Sequence, residues 1–278
     1  MQQKTILITG STSGIGLEGA RVLGSLGWRV FVHARNEQRG LPAIESLRSR
    51  NPTGQFELVT GDLASLESVT TLADQIAKAT PSLDVLWNNA GGMFAEKRLS
   101  ADGIELQMAV NHLAPFVLTH RLKPLLEKAP QGRVIGTSSM AHSFAKVTED
   151  WFGDTPGKYS GWAVYSKSKL ANILFIQELA RLWADTAITV QAFHPGWVRT
   201  AFGQNQTAHS NFFDLIGLRI PVEKGADTGV FLATSEAGGR NSGSYWAKRK
   251  IQKPAKTSPE QARQLWEQSL SLAQRFVK

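Results

Sequence analysis

Tyr165 and Lys169, in the stretch YSKSK, stand four residues apart on a segment patterned as a helix, so both fall on one face. A phenol titrates near pH ~10 and is a poor base at neutrality, but an ammonium beside it stabilises the phenolate and lowers that value. A tyrosine tuned in this way can give or take the proton that accompanies a hydride transfer. Taken alone, a Tyr/Lys pair at this spacing is an ordinary feature of a helix surface. Its weight depends on the rest of the chain. The second stretch with chemical content is TGSTSGIG, Thr9–Gly16, whose glycines Gly10, Gly14 and Gly16 fall as GxxxGxG rather than GxGxxG. Glycines there permit a tight turn and close approach of the backbone to a ligand. The free N–H groups of a following helix would then face a phosphate.

Both stretches need a frame, and the apolar pattern supplies one. Short apolar runs at 5–9, 29–34, 56–60, 83–89, 133–138, 188–194 and 243–246 read as buried strands. Amphipathic segments near 14–26, 37–50, 65–79, 103–128, 163–184 and 223–235 read as helices. A last helix over 258–276 opens at Ser258-Pro259 with Glu260 in its first turn. Alternation of this kind predicts an α/β fold, a single-domain, Rossmann-type, doubly wound parallel sheet of about seven strands with helices on both faces. No linker divides 1–278, so the whole chain is expected to form one domain. Two irregular stretches, 140–162 and 196–222, are long enough to be functional loops.

In this frame the glycine loop joins the first strand to the first helix, where doubly wound folds hold a dinucleotide. A NAD site usually ends its second strand with an acid that holds the adenosine ribose. Here that strand ends His33-Ala34-Arg35. An arginine fork suits a 2′-phosphate, so NADP(H) is expected rather than NAD(H).

With these stretches in place the chain resembles the short-chain dehydrogenase/reductase family. TGSTSGIG matches its TGxxxGxG loop, Asn88–Gly91 its NNAG, Tyr165–Lys169 its YxxxK, and HPGWVRT (His194–Thr200) its PG motif, all in the family's order. The stretches ARNEQRG, VNHLAPFVLT, SSMAH and YSKSKLANILF resemble the retinol-dehydrogenase-like branch, as does the tail from Tyr245. The resemblance implies Tyr165 as general acid/base, Lys169 as its partner and as ligand of the nicotinamide ribose, Ser139 on the substrate oxygen, and Asn111 holding a water beside Lys169. Ser138 competes with Ser139 for its role, because only one of two adjacent residues can face the cleft. For the cofactor the resemblance implies Gly10, Ser11, Ser13, Gly14, Ile15 and Gly16 in the loop. Arg35 would hold the 2′-phosphate with help from Ser11 or Asn36, since many NADP-binding relatives carry a basic residue in the loop and positions 11–13 here are Ser-Thr-Ser. It further implies Asp62 and Leu63 at the adenine, Asn89, Ala90 and Gly91 beneath the adenosine ribose, and Pro195, Gly196, Val198 and Thr200 at the carboxamide.

Composition narrows the class. Apolar residues make up 42% of the 278 and charged ones 19%, ordinary for a globular protein. Cysteine is absent, which removes disulfides and thiol catalysis. No apolar run is long enough for a membrane span, and the N-terminus lacks a signal layout, so the cytoplasm is the expected compartment. The net charge is +8, densest at Lys248, Arg249, Lys250, Lys253 and Lys256. That run reads as a solvated segment, with a membrane-surface or partner patch as the alternative; without interleaved aromatics it does not read as a nucleic-acid site. The histidines lack supporting acids, so no metal is expected; His142, three residues after Ser139, could reach the cleft but reads more readily as a surface residue. Aromatics of the two loops, Phe144, Trp151, Phe152 and Trp162, then Trp197, Phe202, Phe212 and Phe213, suggest a pocket for an apolar carbonyl or alcohol. The competing class is an NADP(H)-binding regulatory or scaffold protein with little turnover. The family often pairs through the two long helices, but the branch includes monomers, so monomer, dimer and tetramer all stay open.

Overall fold

The computed structural model describes residues 3–146, 149–153, 157–198 and 220–277. Strands β1 (Thr5–Ile8), β2 (Arg29–Ala34), β3 (Gln55–Thr60), β4 (Val85–Asn88), β5 (Arg133–Thr137), β6 (Thr189–His194), β7 (Tyr245–Ala247) and β8 (Lys250–Gln252) form one sheet in the order β3-β2-β1-β4-β5-β6-β7-β8. All neighbours pair in parallel except β7 and β8. The strand order reverses between β1 and β4, which is the place where such sheets leave a ligand crevice.

The period of two along each strand divides the core. On β1, Leu7 points to one face and Ile6 and Ile8 to the other. The Leu7 face is covered by α3 (Leu66–Ala79), α5 (Ala114–Glu127) and α6 (Gly161–Leu182), through Leu72, Phe116, Ile173 and their neighbours. The opposite face is covered by α1 (Gly14–Ser25), α2 (Glu37–Arg50) and α7 (Val222–Thr234), through Leu23, Ile44, Leu47 and Leu232. The central strands are buried on both sides, so β1 and β4 are apolar or buried at every position.

Helix starts follow local chemistry. Asn36, Ser65, Ser160 and Ser258 each accept a backbone N–H of the first turn they precede. The last of these opens α8 (Pro259–Ala273), which packs on α6 and sets Trp266 5.0 Å from the Phe116 ring. No helix among the described residues is long and apolar enough to cross a membrane.

Two elements depart from expectation. The eighth strand, Lys-Ile-Gln, is exposed throughout. It pairs only because Lys248 and Arg249 adopt left-handed φ values of 51° and 59° and turn the chain back on β7. Edge strands carry such residues without an apolar pattern. The helix expected over 103–128 begins at α4 (Leu106–Met108), passes through a π turn at Ala109–Leu113, and continues as α5. The Ala114 N–H reaches back to the Ala109 carbonyl across the widened turn. Such turns cluster at functional sites, and this one carries Asn111.

Candidate active site

At the sheet reversal the glycine loop is fastened to the end of β4. The Thr9 hydroxyl accepts the N–H groups of Asn89 at 2.9 Å and Ala90 at 3.0 Å. The Asn89 amide donates to the Thr9 and Gly10 carbonyls. Gly10 and Gly14 take left-handed φ values of 62° and 56°. A Cβ on Gly16 would stand 2.6 Å from Asn89 Nδ2 and 2.7 Å from the Gly10 carbonyl oxygen. Unlike the caps of α2, α3, α6 and α8, the Ser13 side chain makes no capping bond, so the first N–H groups of α1, from Gly14, Ile15 and Gly16, stay open to an anion.

His33 bolts this loop to the end of β3. Its Nδ1 accepts the Gly10 N–H at 2.9 Å, and its Nε2 lies 2.9 Å from the Gly61 carbonyl, to which it must donate. Burial pushes its pKa down to about 4, with the Gly61 bond and Asp62 opposing, so the ring is neutral. Ser11 is fully enclosed. Its hydroxyl donates to the Ile8 carbonyl at 2.7 Å and accepts the His33 N–H at 2.9 Å. The help expected from the Ser11 hydroxyl at a phosphate is therefore corrected: that group ties β1 to β2. The Asn36 oxygen is committed to the cap of α2. Arg35 is exposed, with Nε 3.7 Å from Asp62 Oδ1. Asp62 is held by a bond from its N–H to Ser68 Oγ and by the Ala64 N–H on its carboxylate. Leu63 is buried beneath it.

The catalytic candidates converge at the other side of the crevice. Ser138 is excluded from the substrate role, because its hydroxyl donates to the Lys169 carbonyl at 2.7 Å. Ser139 caps the 3-10 turn Met140–Phe144, accepting the Ala141 N–H at 3.2 Å. It hydrogen-bonds Tyr165, which lowers the phenol's pKa, but burial dominates and pushes it up to about 12. Lys169 lies 5.6 Å from the centre of the Tyr165 ring and donates to the Thr137 carbonyl at 3.1 Å. Burial lowers its pKa to about 8. The phenol therefore stands above its ordinary value, where the ammonium was expected to pull it below. Desolvation opposes charge on both groups, and both sit within the protein.

Asn111 donates to the Gly92 carbonyl and to Ser168 Oγ, each at 2.9 Å, and accepts the Gly92 N–H at 2.7 Å. A Cβ on Gly91 would meet both Asn111 Oδ1 and Lys169 Nζ at 3.2 Å. NNAG, the π turn and Lys169 therefore meet at one point. After β6 the chain turns at Pro195 and Gly196, the latter with φ 92°. Val198 bridges to Ile220, and a Cβ on Gly225 would touch both Val198 and Ile15, so this segment returns to the start of α1. Thr200 lies outside the described residues, as do Phe202, Phe212 and Phe213.

Of the loop aromatics, Phe144, Trp162 and Trp197 are exposed. The Trp162 ring lies 6.1 Å from both Phe144 and Tyr165. Trp151 is fully enclosed and Phe152 packs against His112, so these two serve the core rather than a pocket. The basic run is exposed, yet Arg249 pairs with Asp227 and Lys256 donates to the Ala145 carbonyl. His142 is buried rather than on the surface, with Nδ1 2.7 Å from the Ser139 carbonyl. Thr9, His33 and His142 escape a sequence reading because their partners lie far along the chain. The available signal was their position within or next to a motif.

A glycine-loop crevice at the reversal of a doubly wound sheet, flanked by a half-buried serine and a buried Tyr/Lys pair, defines a dinucleotide-dependent oxidoreductase. The family model described as short chain dehydrogenase matches residues 4–211. Retinol dehydrogenase 14 of Mus musculus is 36% identical over 96% of this chain and 85% of its own. Among solved structures, an uncharacterized protein from Mycobacterium Paratuberculosis superposes with a TM-score of 0.77 at 31% identity, covering 98% of this chain and 94% of that one. The angucycline C-6 ketoreductase LanV with bound NADP superposes with a TM-score of 0.69 at 25% identity, covering 87% and 92%. The chain belongs to the short-chain dehydrogenase/reductase family, in its retinol-dehydrogenase-like branch.

Proposed function

We propose that this oxidoreductase is an NADP(H)-dependent carbonyl reductase for small apolar aldehydes or ketones, working in the cytoplasm. The observation that carries the reading is the Ser139–Tyr165 bond with Lys169 beneath the same ring, opening toward Trp162 and Phe144. The residues present fit a dinucleotide. Left-handed Gly10 and Gly14, the lack of room at Gly16 and the uncapped N-terminus of α1 suit a pyrophosphate. Arg35 and Asp62 suit the adenosine end, and Arg35 favours a 2′-phosphate. When bound, the nicotinamide supplies the hydride.

The protein's own groups manage the proton. Ser139 hydrogen-bonds the substrate oxygen and orients it toward Tyr165. With its pKa pushed up to about 12, Tyr165 is a protonated acid at neutral pH, the form that donates to a carbonyl oxygen as it is reduced. The phenolate left behind is stabilised by Lys169, charged below about pH 8. Asn111, held on the π turn, anchors a path from Lys169 to solvent. Exposed rings beside Tyr165 give an apolar rim, which supports an aliphatic, aromatic or isoprenoid substrate over a sugar.

The test is NADPH consumption against a panel of aldehydes and ketones, with Tyr165→Phe alongside and NADPH binding measured in both. Turnover lost in the variant with binding kept supports the reading. Turnover unchanged by Tyr165→Phe overturns it.

A further inference from the structure

The C-terminal chain touches the Ser139 turn and packs on the helix that carries Tyr165 and Lys169. Between β8 and α8 it runs as a strap over 253–258. There the Ala255 N–H donates to His142 Nε2 at 3.2 Å, and Lys256 donates to the Ala145 carbonyl at 2.9 Å. These contacts hold both the middle and the end of the 3-10 turn that Ser139 caps. Lys256 takes a left-handed φ of 59°, unfavourable for a residue with a side chain, so contacts must hold the strap in place. Further on, Gln268 of α8 binds the Trp151 N–H and the Glu149 carbonyl, and Ser269 bonds His112 beside Asn111.

His142 is where the strap meets the serine. An acceptor role at Nε2 fixes its tautomer, so Nδ1 carries the proton and donates to the Ser139 carbonyl at 2.7 Å. The ring must be neutral to make both bonds, and burial keeps its pKa low against the opposing Ser139 bond. Around it stand Tyr245 of β7, edge-on at 5.1 Å, and His194 at the end of β6. His194 is itself held neutral by burial, by His142 and by Lys248, and accepts the Met140 N–H at 3.2 Å. Lys256 approaches from the strap.

We propose that His142 is a positioning residue that transmits the docking of the C-terminal strap to Ser139, setting that serine against Tyr165. The inference rests on the reductase reading above.

His142→Asn keeps a donor toward Ser139 and removes the acceptor for Ala255. Lys256→Met removes the strap's other anchor from an exposed site. Each is expected to lower kcat by roughly 10-fold, a small displacement of a reacting group being enough for that. NADPH affinity should stay within about 2-fold and thermal unfolding should stay cooperative; if His142→Asn does not fold, Lys256→Met carries the test. Hydrogen exchange at the 139–145 amides is expected to quicken in both variants. Wild-type kcat in His142→Asn would show that the ring acts locally, and would overturn the proposal. Unchanged exchange at 139–145 in Lys256→Met would overturn it equally. A wild type with no turnover on any carbonyl would instead fail the reductase reading, while the exchange comparison would still decide whether the strap holds the serine turn.

Discussion

Lys169 and Tyr165 are buried together, the ammonium 5.6 Å from the centre of the phenol ring, and burial moves their pKa values apart, Lys169 down to about 8 and Tyr165 up to about 12. Each group is therefore costly to charge where it sits. The pair is primed as a neutral acid above a cation that is easily discharged.

This arrangement predicts the pH profile. Reduction needs Tyr165 protonated and Lys169 charged. The kcat/KM for reduction should hold level through neutrality and fall as pH rises past about 8, the value of Lys169. Lys169→Arg should move that limb upward even at a lower rate, since a guanidinium does not discharge in this range. A limb unmoved by the substitution would assign it to another group.

The same lysine should weigh against stability. Its pKa in the fold, about 8, lies below its ordinary 10.5, so its charge is disfavoured in the native state. The penalty is full below pH 8 and disappears above 10.5. Lys169→Met should unfold at higher urea than the wild type at pH 7, by an amount on the order of 3 kcal/mol at most, with the gap narrowing toward pH 10. Urea melts at both pH values check this, and the variant should be inactive.

Buried histidines set the acid limit. His33 and His112 are pushed down by burial to about 4 and about 3 from 6.5. Their contribution is complete above pH 6.5 and is lost as pH falls through those lower values, on the order of 3 kcal/mol for His33 and 5 for His112. Losses of that size approach the whole stability of a domain. Cooperative acid unfolding is expected before pH 4, and circular dichroism across the range would show it.

Arg35→Ala should raise the KM for NADPH roughly 10- to 100-fold, the worth of charge-assisted bonds to a phosphate. The KM for NADH should change little. Equal losses for both cofactors would place Arg35 elsewhere than at a 2′-phosphate.

His33→Leu would leave the Gly10 N–H and the Gly61 carbonyl without their partner, at a cost of about 1–3 kcal/mol each. Because Gly10 belongs to the glycine loop proposed to hold the cofactor's phosphates, NADPH affinity should fall along with stability. Calorimetric titration beside a thermal melt separates the two effects.

While Ser139 came from the family resemblance, seven of the eight strands, the helices between them, and the placing of the glycine loop, Arg35 and the Tyr165/Lys169 pair were legible in the chain itself. They depend on spacing within one element or on the turn between two, where period and glycine placement dictate geometry. Tertiary structure decided the rest. Ser138 and Ser139 are chemically alike in sequence, and only the packing of α6 against β5 turns one inward to the Lys169 carbonyl. The phenol's shift upward depends on how much water the assembled layers exclude, which no local pattern encodes. The bonds that Ser11, His33 and His142 make were hidden because those partners lie 22 to 113 residues away. A hydrogen bond between such distant groups exists only once the sheet has brought their strands together.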